Sequence, residues 1–149
     1  MYDQLQNLVK KYPNPKALVI FSAHWEEAEW TILDHDKPSL LYDYYGFPSE
    51  AYKIQYPAES TVELRKYVQD SLMKQGYKLK SNTKRGYDHG VFIPLSIMYP
   101  KANIPVIQIS ILSSLDPESH FKMGKALIEL KKEGFMIIGS GSSVHGGFG

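Results

Sequence analysis

Ala17-Leu18-Val19-Ile20-Phe21-Ser22 is a short apolar run, fenced upstream by Pro13 and Pro15, and it reads as a buried core strand. Before it, Tyr2, Leu5, Leu8, Val9 and Tyr12 recur at helical spacing, so a helix feeds this strand. After it, Glu29 to Leu33 reads as a second short strand, and Asp34 to Pro57, rich in Tyr, Pro and Gly, as a long ordered loop. Ser60-Thr61-Val62-Glu63 fits a capping box. Leu64, Tyr67, Val68, Ser71 and Leu72 then line one helical face until Gly76 stops it. Tyr77 to Lys80 suits an edge strand, Pro94 opens a short helix through Tyr99, and the β-branched stretch Ile104 to Leu112 reads as a central strand. Asp116-Pro117 is an N-cap and N1 pair for a helix carrying Phe121, Gly124, Leu127, Ile128 and Lys131, ended by Gly134. Phe135 to Gly139 is the last core strand. Strands alternating with helices predict one α/β domain over residues 1–149, with a mainly parallel central sheet and helices on both faces.

Composition narrows the function classes. Seventeen basic residues stand against sixteen acidic ones, so no electrostatic footprint for nucleic acid and no polybasic membrane patch is present. No run reaches the roughly 18 apolar residues of a membrane span, and Met1 to Tyr12 lacks the order of a secretory signal. A cytoplasmic protein is expected. With no cysteine, any metal must be held by imidazole, carboxylate or water.

Three histidines close apolar or turn-forming runs: His24 after Ser22-Ala23, His89 in Tyr87-Asp88-His89-Gly90, and His145 after Gly139-Ser140-Gly141. Ends of strands in an α/β domain gather ligands. Imidazole serves there as a metal ligand or as a base at neutral pH. Each also has a plainer reading: a hydrogen-bonded core or surface group for His24, a solvated turn for His89, and for the loop before His145 an anion-binding nest of backbone N–H groups. His35 reads as a surface group, and His120, in the first turns of a helix, as one that faces solvent or caps locally. Tyr42-Asp43-Tyr44-Tyr45-Gly46-Phe47-Pro48 either lines an aromatic pocket or packs over the core. Gly139-Ser140-Gly141-Ser142-Ser143 lacks the third glycine of a dinucleotide loop and the spacing of a nucleophile elbow, and no H-E-x-x-H occurs.

Several blocks in order carry a family resemblance: Ser22-Ala23-His24-Trp25-Glu26, Gly46-Phe47-Pro48 with Tyr56-Pro57, and Arg85-Gly86-Tyr87-Asp88-His89-Gly90 before Pro94-Leu95. Tyr99-Pro100, Ile104-Pro105-Val106, and Gly139-Ser140-Gly141-Ser142 with Val144-His145 continue the series. Together they resemble the class III extradiol ring-cleavage dioxygenases, and more closely their DOPA 4,5-dioxygenase branch. The resemblance implies a nonheme Fe(II) or Zn(II) enzyme that opens a catechol ring with O₂. It makes His24 a metal ligand, His145 the acid-base residue, and His89 a group that hydrogen-bonds substrate or oxygen. It also implies two further metal ligands on segments before and after those in this chain, so the chain is expected to be a fragment of the family domain. Two other readings stay open: a zinc-dependent hydrolase on a similar scaffold, and a non-catalytic α/β remnant.

Overall fold

The computed structural model describes residues 15–36, 56–99 and 101–140. Five strands form one sheet: β1 (Leu18–Glu27), β2 (Thr31–Leu33), β3 (Lys80–Asn82), β4 (Val106–Leu112) and β5 (Met136–Ser140). Their order across the sheet is β3-β2-β4-β1-β5. β1 runs parallel to both β4 and β5, and β3 parallel to β2, whereas β2 meets β4 antiparallel through Ile32 and Ile109. The mainly parallel expectation holds, with one reversal between β4 and β2.

Alternate residues of β1 explain why the run is apolar throughout. Val19 and Phe21 join a core with Ile107, Ile109, Val68, Leu72, Met123 and Leu130, while Leu18 and Ile20 join a second one with Tyr87, Phe92, Leu95 and Met98. Successive side chains of a strand point to opposite faces, so a strand covered on both sides has no position to give to water. Helix α1 (Val62–Lys74) covers the first face together with α3 (Pro117–Ala126) and α4 (Ile128–Lys132). α2 (His89–Met98) covers the other. Phe21, Leu18 and Ile20 are fully buried, and each such side chain contributes about 1.5–3 kcal/mol through its removal from water.

Helix boundaries follow local chemistry, with some corrections. The N-cap of α1 is Thr61, one residue past Ser60, and its hydroxyl accepts the N–H of Leu64 at 3.4 Å. Ser60 is displaced from capping because its carbonyl is taken by the buried Arg65 guanidinium, which also binds Asp34 at 2.9 Å and Asp36 at 2.8 Å. α1 stops where expected: Gly76 has φ +92°, and the Gly76 and Tyr77 N–H groups close back on Met73 and Leu72. Gly134, at φ +96°, ends α4 in the same way, with Phe135 bonding back to Leu130. α3 is capped by Asp116 with Pro117 at its first position, but the helix expected to run on to Lys131 breaks at Leu127. α2 begins at His89 rather than at Pro94, because the Asp88 carbonyl already accepts the Val91 and Phe92 N–H groups. The edge strand lies at Lys80–Asn82, later than Tyr77 to Lys80, and the last strand starts at Met136. The first helix expected around Tyr2 to Tyr12 and most of the loop from Asp34 to Pro57, with its tyrosines, lie outside the described residues.

Candidate active site at the carboxyl end of the first strand

β1 does not end before His24. It continues to Glu27, but its pairing with β4 slips: Phe21 faces Ile109 and Glu26 faces Ile111. Ser22 to Trp25 on β1 therefore oppose Ser110 alone on β4, an irregularity of the sort that re-aims side chains beside functional sites. The Ser22 hydroxyl accepts the backbone N–H of His24 at 3.1 Å and so closes the bulge from within. The consequence is an exposed His24 next to a fully buried Ser22.

The same hydroxyl donates to Asp88 Oδ1 at 2.7 Å. Asp88 is fully buried, and its Oδ2 accepts Gln108 Nε2 of β4 at 2.8 Å and Arg85 Nη2 at 3.0 Å. Burying a carboxylate is costly unless it is paired and hydrogen-bonded. Here donors from β1, β4 and the loop before α2 meet that requirement. The Arg85 guanidinium reaches the His24 carbonyl at 3.3 Å and lies over the Trp25 ring at 5.1 Å, and Trp25 Nε1 in turn donates to Glu27 Oε2 at 2.7 Å. Tyr87, beside Asp88, donates to the carbonyls of Ala58 and Val106 at 3.3 and 3.4 Å. Burial pushes its hydroxyl far above the ordinary tyrosine range, and neighbouring Tyr56 adds to this.

The three histidines picked out by sequence fare differently. His24 is on the bulge, and α2 opens at His89, held against Ser22 through the Asp88 side chain. The orientation of the His89 side chain, and all of His145, lie outside the described residues. β5 pairs Ser140 with Ser22, so the chain sets out toward His145 from the level of the bulge. His35 is exposed, as expected. Of the two readings of His120 the local one fits better: Nδ1 lies 2.7 Å from the Asp116 carbonyl, and the ring is half-buried, with Nε2 accepting the Leu112 N–H at 3.3 Å and Trp30 meeting it edge-on at 5.0 Å. Ser22, Arg85, Asp88 and Gln108 were not singled out by sequence for a role in the site. Gln108 carried the one available signal, an amide inside the apolar strand Val106–Leu112.

The family model for the catalytic LigB subunit of aromatic ring-opening dioxygenase matches residues 1–146. The chain belongs to the LigB family. This LigB domain is 46% identical over 132 residues to the 4,5-DOPA dioxygenase extradiol of Beta vulgaris, covering 88% of this chain and 49% of the relative. It is 41% identical over 133 residues to dioxygenase tasH of Hapsidospora irregularis, covering 88% and 41%. An uncharacterised Escherichia coli K12 protein of known crystal structure superposes with a TM-score of 0.75 at 32% identity, covering 97% of this chain and 53% of that one. The LigB domain thus spans about half the length, or less, of these proteins. Among the described residues no helix is long and apolar enough to cross a membrane.

A nonheme metal asks for about three protein donors. The exposed imidazole of His24 suits one such position in kind, while the Asp88 carboxylate is engaged by Ser22, Arg85 and Gln108. Among the described residues of the LigB domain, no group of three or more His, Asp or Glu side chains comes together to hold a metal ion. The described residues alone do not fit a complete metal centre.

Proposed function

We propose that the protein is a metal-dependent extradiol dioxygenase that opens the ring of a DOPA-like catechol with O₂. The observation that carries this reading is the Ser22–Asp88 bond, which draws the start of α2 at His89 to the bulge bearing His24, at the level where β5 leaves toward His145. In this proposal His24 contributes one imidazole to Fe(II) or Zn(II), and the remaining ligands come from outside the described residues. A bound metal would supply a shared centre for an aromatic diol and O₂. His145 takes a catechol proton and returns one as the ring opens, a task suited to an imidazole. His89 hydrogen-bonds substrate or oxygen and fixes its orientation. We place this activity in the cytoplasm.

The test is to load the protein with Fe(II) under anaerobic conditions, add DOPA or catechol, and admit air. Oxygen uptake in step with a coloured, ring-opened semialdehyde acid is expected, and His24→Ala is expected to lose bound metal. A metal-loaded protein that neither consumes O₂ nor opens any catechol overturns the reading. Stoichiometric zinc without oxygen chemistry would then favour a hydrolase, and no tight metal at all a non-catalytic remnant.

A further inference from the structure

Asp88 occupies an unusual place: a buried carboxylate whose side chain bonds three separate segments, while its own carbonyl starts α2. Its near neighbours in sequence, Tyr87, Val91 and Phe92, are fully buried in the apolar core, and the carboxylate answers the Arg85 guanidinium beside them. What a carboxylate adds is direction. It accepts and never donates, so the Ser22 hydroxyl must point its proton at Asp88 and keep a lone pair for the His24 N–H. It also turns the Gln108 amide so that Nε2 faces Asp88, leaving the buried Gln108 Oε1 without a hydrogen-bond partner among the described residues. An amide held with one end unsatisfied is a cost accepted for the sake of the other end. Through Arg85, the same carboxylate reaches the His24 carbonyl. Both backbone polar groups of His24 are thus tied to Asp88 at one remove.

We infer that Asp88 is a positioning residue that locks the strand bulge bearing His24 to the first turn of α2 at His89, and so sets the spacing of the two segments. The inference rests on the proposed dioxygenase reading for its catalytic consequence, though not for its geometry. Asp88→Asn keeps size and shape but replaces one acceptor by a donor, which faces either Ser22 or the Gln108 and Arg85 pair. In either orientation the conflict passes to His24, through the Ser22 hydroxyl to its N–H or through Arg85 to its carbonyl.

Two measurements test this together. In Asp88→Asn, amide hydrogen exchange is expected to speed up at His24, Val91 and Phe92 as a group, while Ile107 and Ile109 in β4 keep their protection. With the Fe(II)-loaded protein, kcat/KM for catechol is expected to fall about 10- to 100-fold, as for a misplaced reacting group, with most of the loss in kcat and metal content unchanged. Adding Gln108→Glu, which returns the negative charge to the cluster, should recover part of both effects. If Asp88→Asn does not fold, Ser22→Ala, which removes a single hydroxyl, should show the same pattern at smaller amplitude. Exchange that rises equally in β4, or at His24 without α2, overturns the inference, as does an unchanged kcat/KM beside loosened amides. A wild-type protein inactive toward catechols strikes the dioxygenase reading instead, and the exchange pattern still decides the role of Asp88.

Discussion

Replacing Arg65 by methionine removes the clamp that holds the chain on both sides of residues 37–55. Its guanidinium binds Asp34 and Asp36 ahead of that stretch and the Ser60 carbonyl after it, and the Ser60 N–H returns to the Asp36 carbonyl at 2.8 Å. These bonds differ in worth. The Arg65 side chain is 5% exposed and that of Asp34 32%, so their bond and the one to Ser60 are shielded and count as charged hydrogen bonds of about 1.5–3 kcal/mol each. Asp36 is 70% exposed, and a pair of that kind contributes about 0–1 kcal/mol. Methionine recovers the packing of the stem and removes the desolvation cost of the guanidinium, which offsets part of the loss. A net destabilisation of about 2–4 kcal/mol remains, or a melting point lower by about 5–15 °C for a domain of this size. Urea unfolding with an unchanged m-value, together with thermal melts, measures it. Asp34→Asn should lose much of its own effect in the Arg65→Met background, and Asp36→Asn should do little in either. A cost for Arg65→Met within about 0.5 kcal/mol of zero, or equal costs at Asp34 and Asp36, would refute the reasoning.

Burial raises the Tyr56 and Tyr87 hydroxyls above the ordinary tyrosine range, so the folded state holds their protons longer than the unfolded chain does. Their contribution is complete below about pH 10 and drains away above it, by up to about 1.4 kcal/mol per pH unit for each tyrosine. Denaturant unfolding between pH 9 and 11.5 should show this slope, and Tyr56→Phe with Tyr87→Phe should flatten it. Gly76→Ala and Gly134→Ala should each destabilise by about 1–2 kcal/mol from backbone strain alone. A methyl group meets nothing within 4 Å at Gly76 and only Lys16 Cβ at 3.9 Å at Gly134, so asparagine at either position should cost less in the same assay.

The order of elements was legible because local signals agree with the fold. The apolar run at Leu18, the β-branched strand ending at Leu112, the Asp116-Pro117 start and the stops at Gly76 and Gly134 each state a backbone preference that tertiary packing only reinforces. Ser60 misled because both it and Thr61 are good caps, and the choice was made by Arg65, whose partners Asp34 and Asp36 lie far away in sequence. For His120 the local bond to Asp116 was within reach of the sequence, whereas its burial was not, since its partner Trp30 belongs to another segment. At the site, the sequence offers His24, His89 and His145 as candidates, and the described residues place His24 on the bulge and His89 at the start of α2. Their support could not be read in this way: the hydrogen bonds that Ser22 and Gln108 each donate to Asp88 are invisible until the three segments meet. The Ser22 to Trp25 bulge escaped notice because it is a property of register between two strands and leaves no mark on either alone.

β4 lies between β1 and β2, although those two strands follow each other directly in the chain and β4 begins only at Val106. A polypeptide emerging from the ribosome therefore presents both early strands with open edges and no partner to close them. The gap is filled only after α1, β3 and α2 have been made, so the sheet cannot zip up progressively and depends on contacts of long sequence separation, which form slowly. During that interval Leu18 to Phe21 is an apolar strand without its neighbours, the kind of segment that pairs with the wrong chain. The strand that underlies the site is thus also the point at which a nascent chain is most vulnerable to aggregation, and only the synthesis of β4 and then of β5, its two neighbours, ends that exposure.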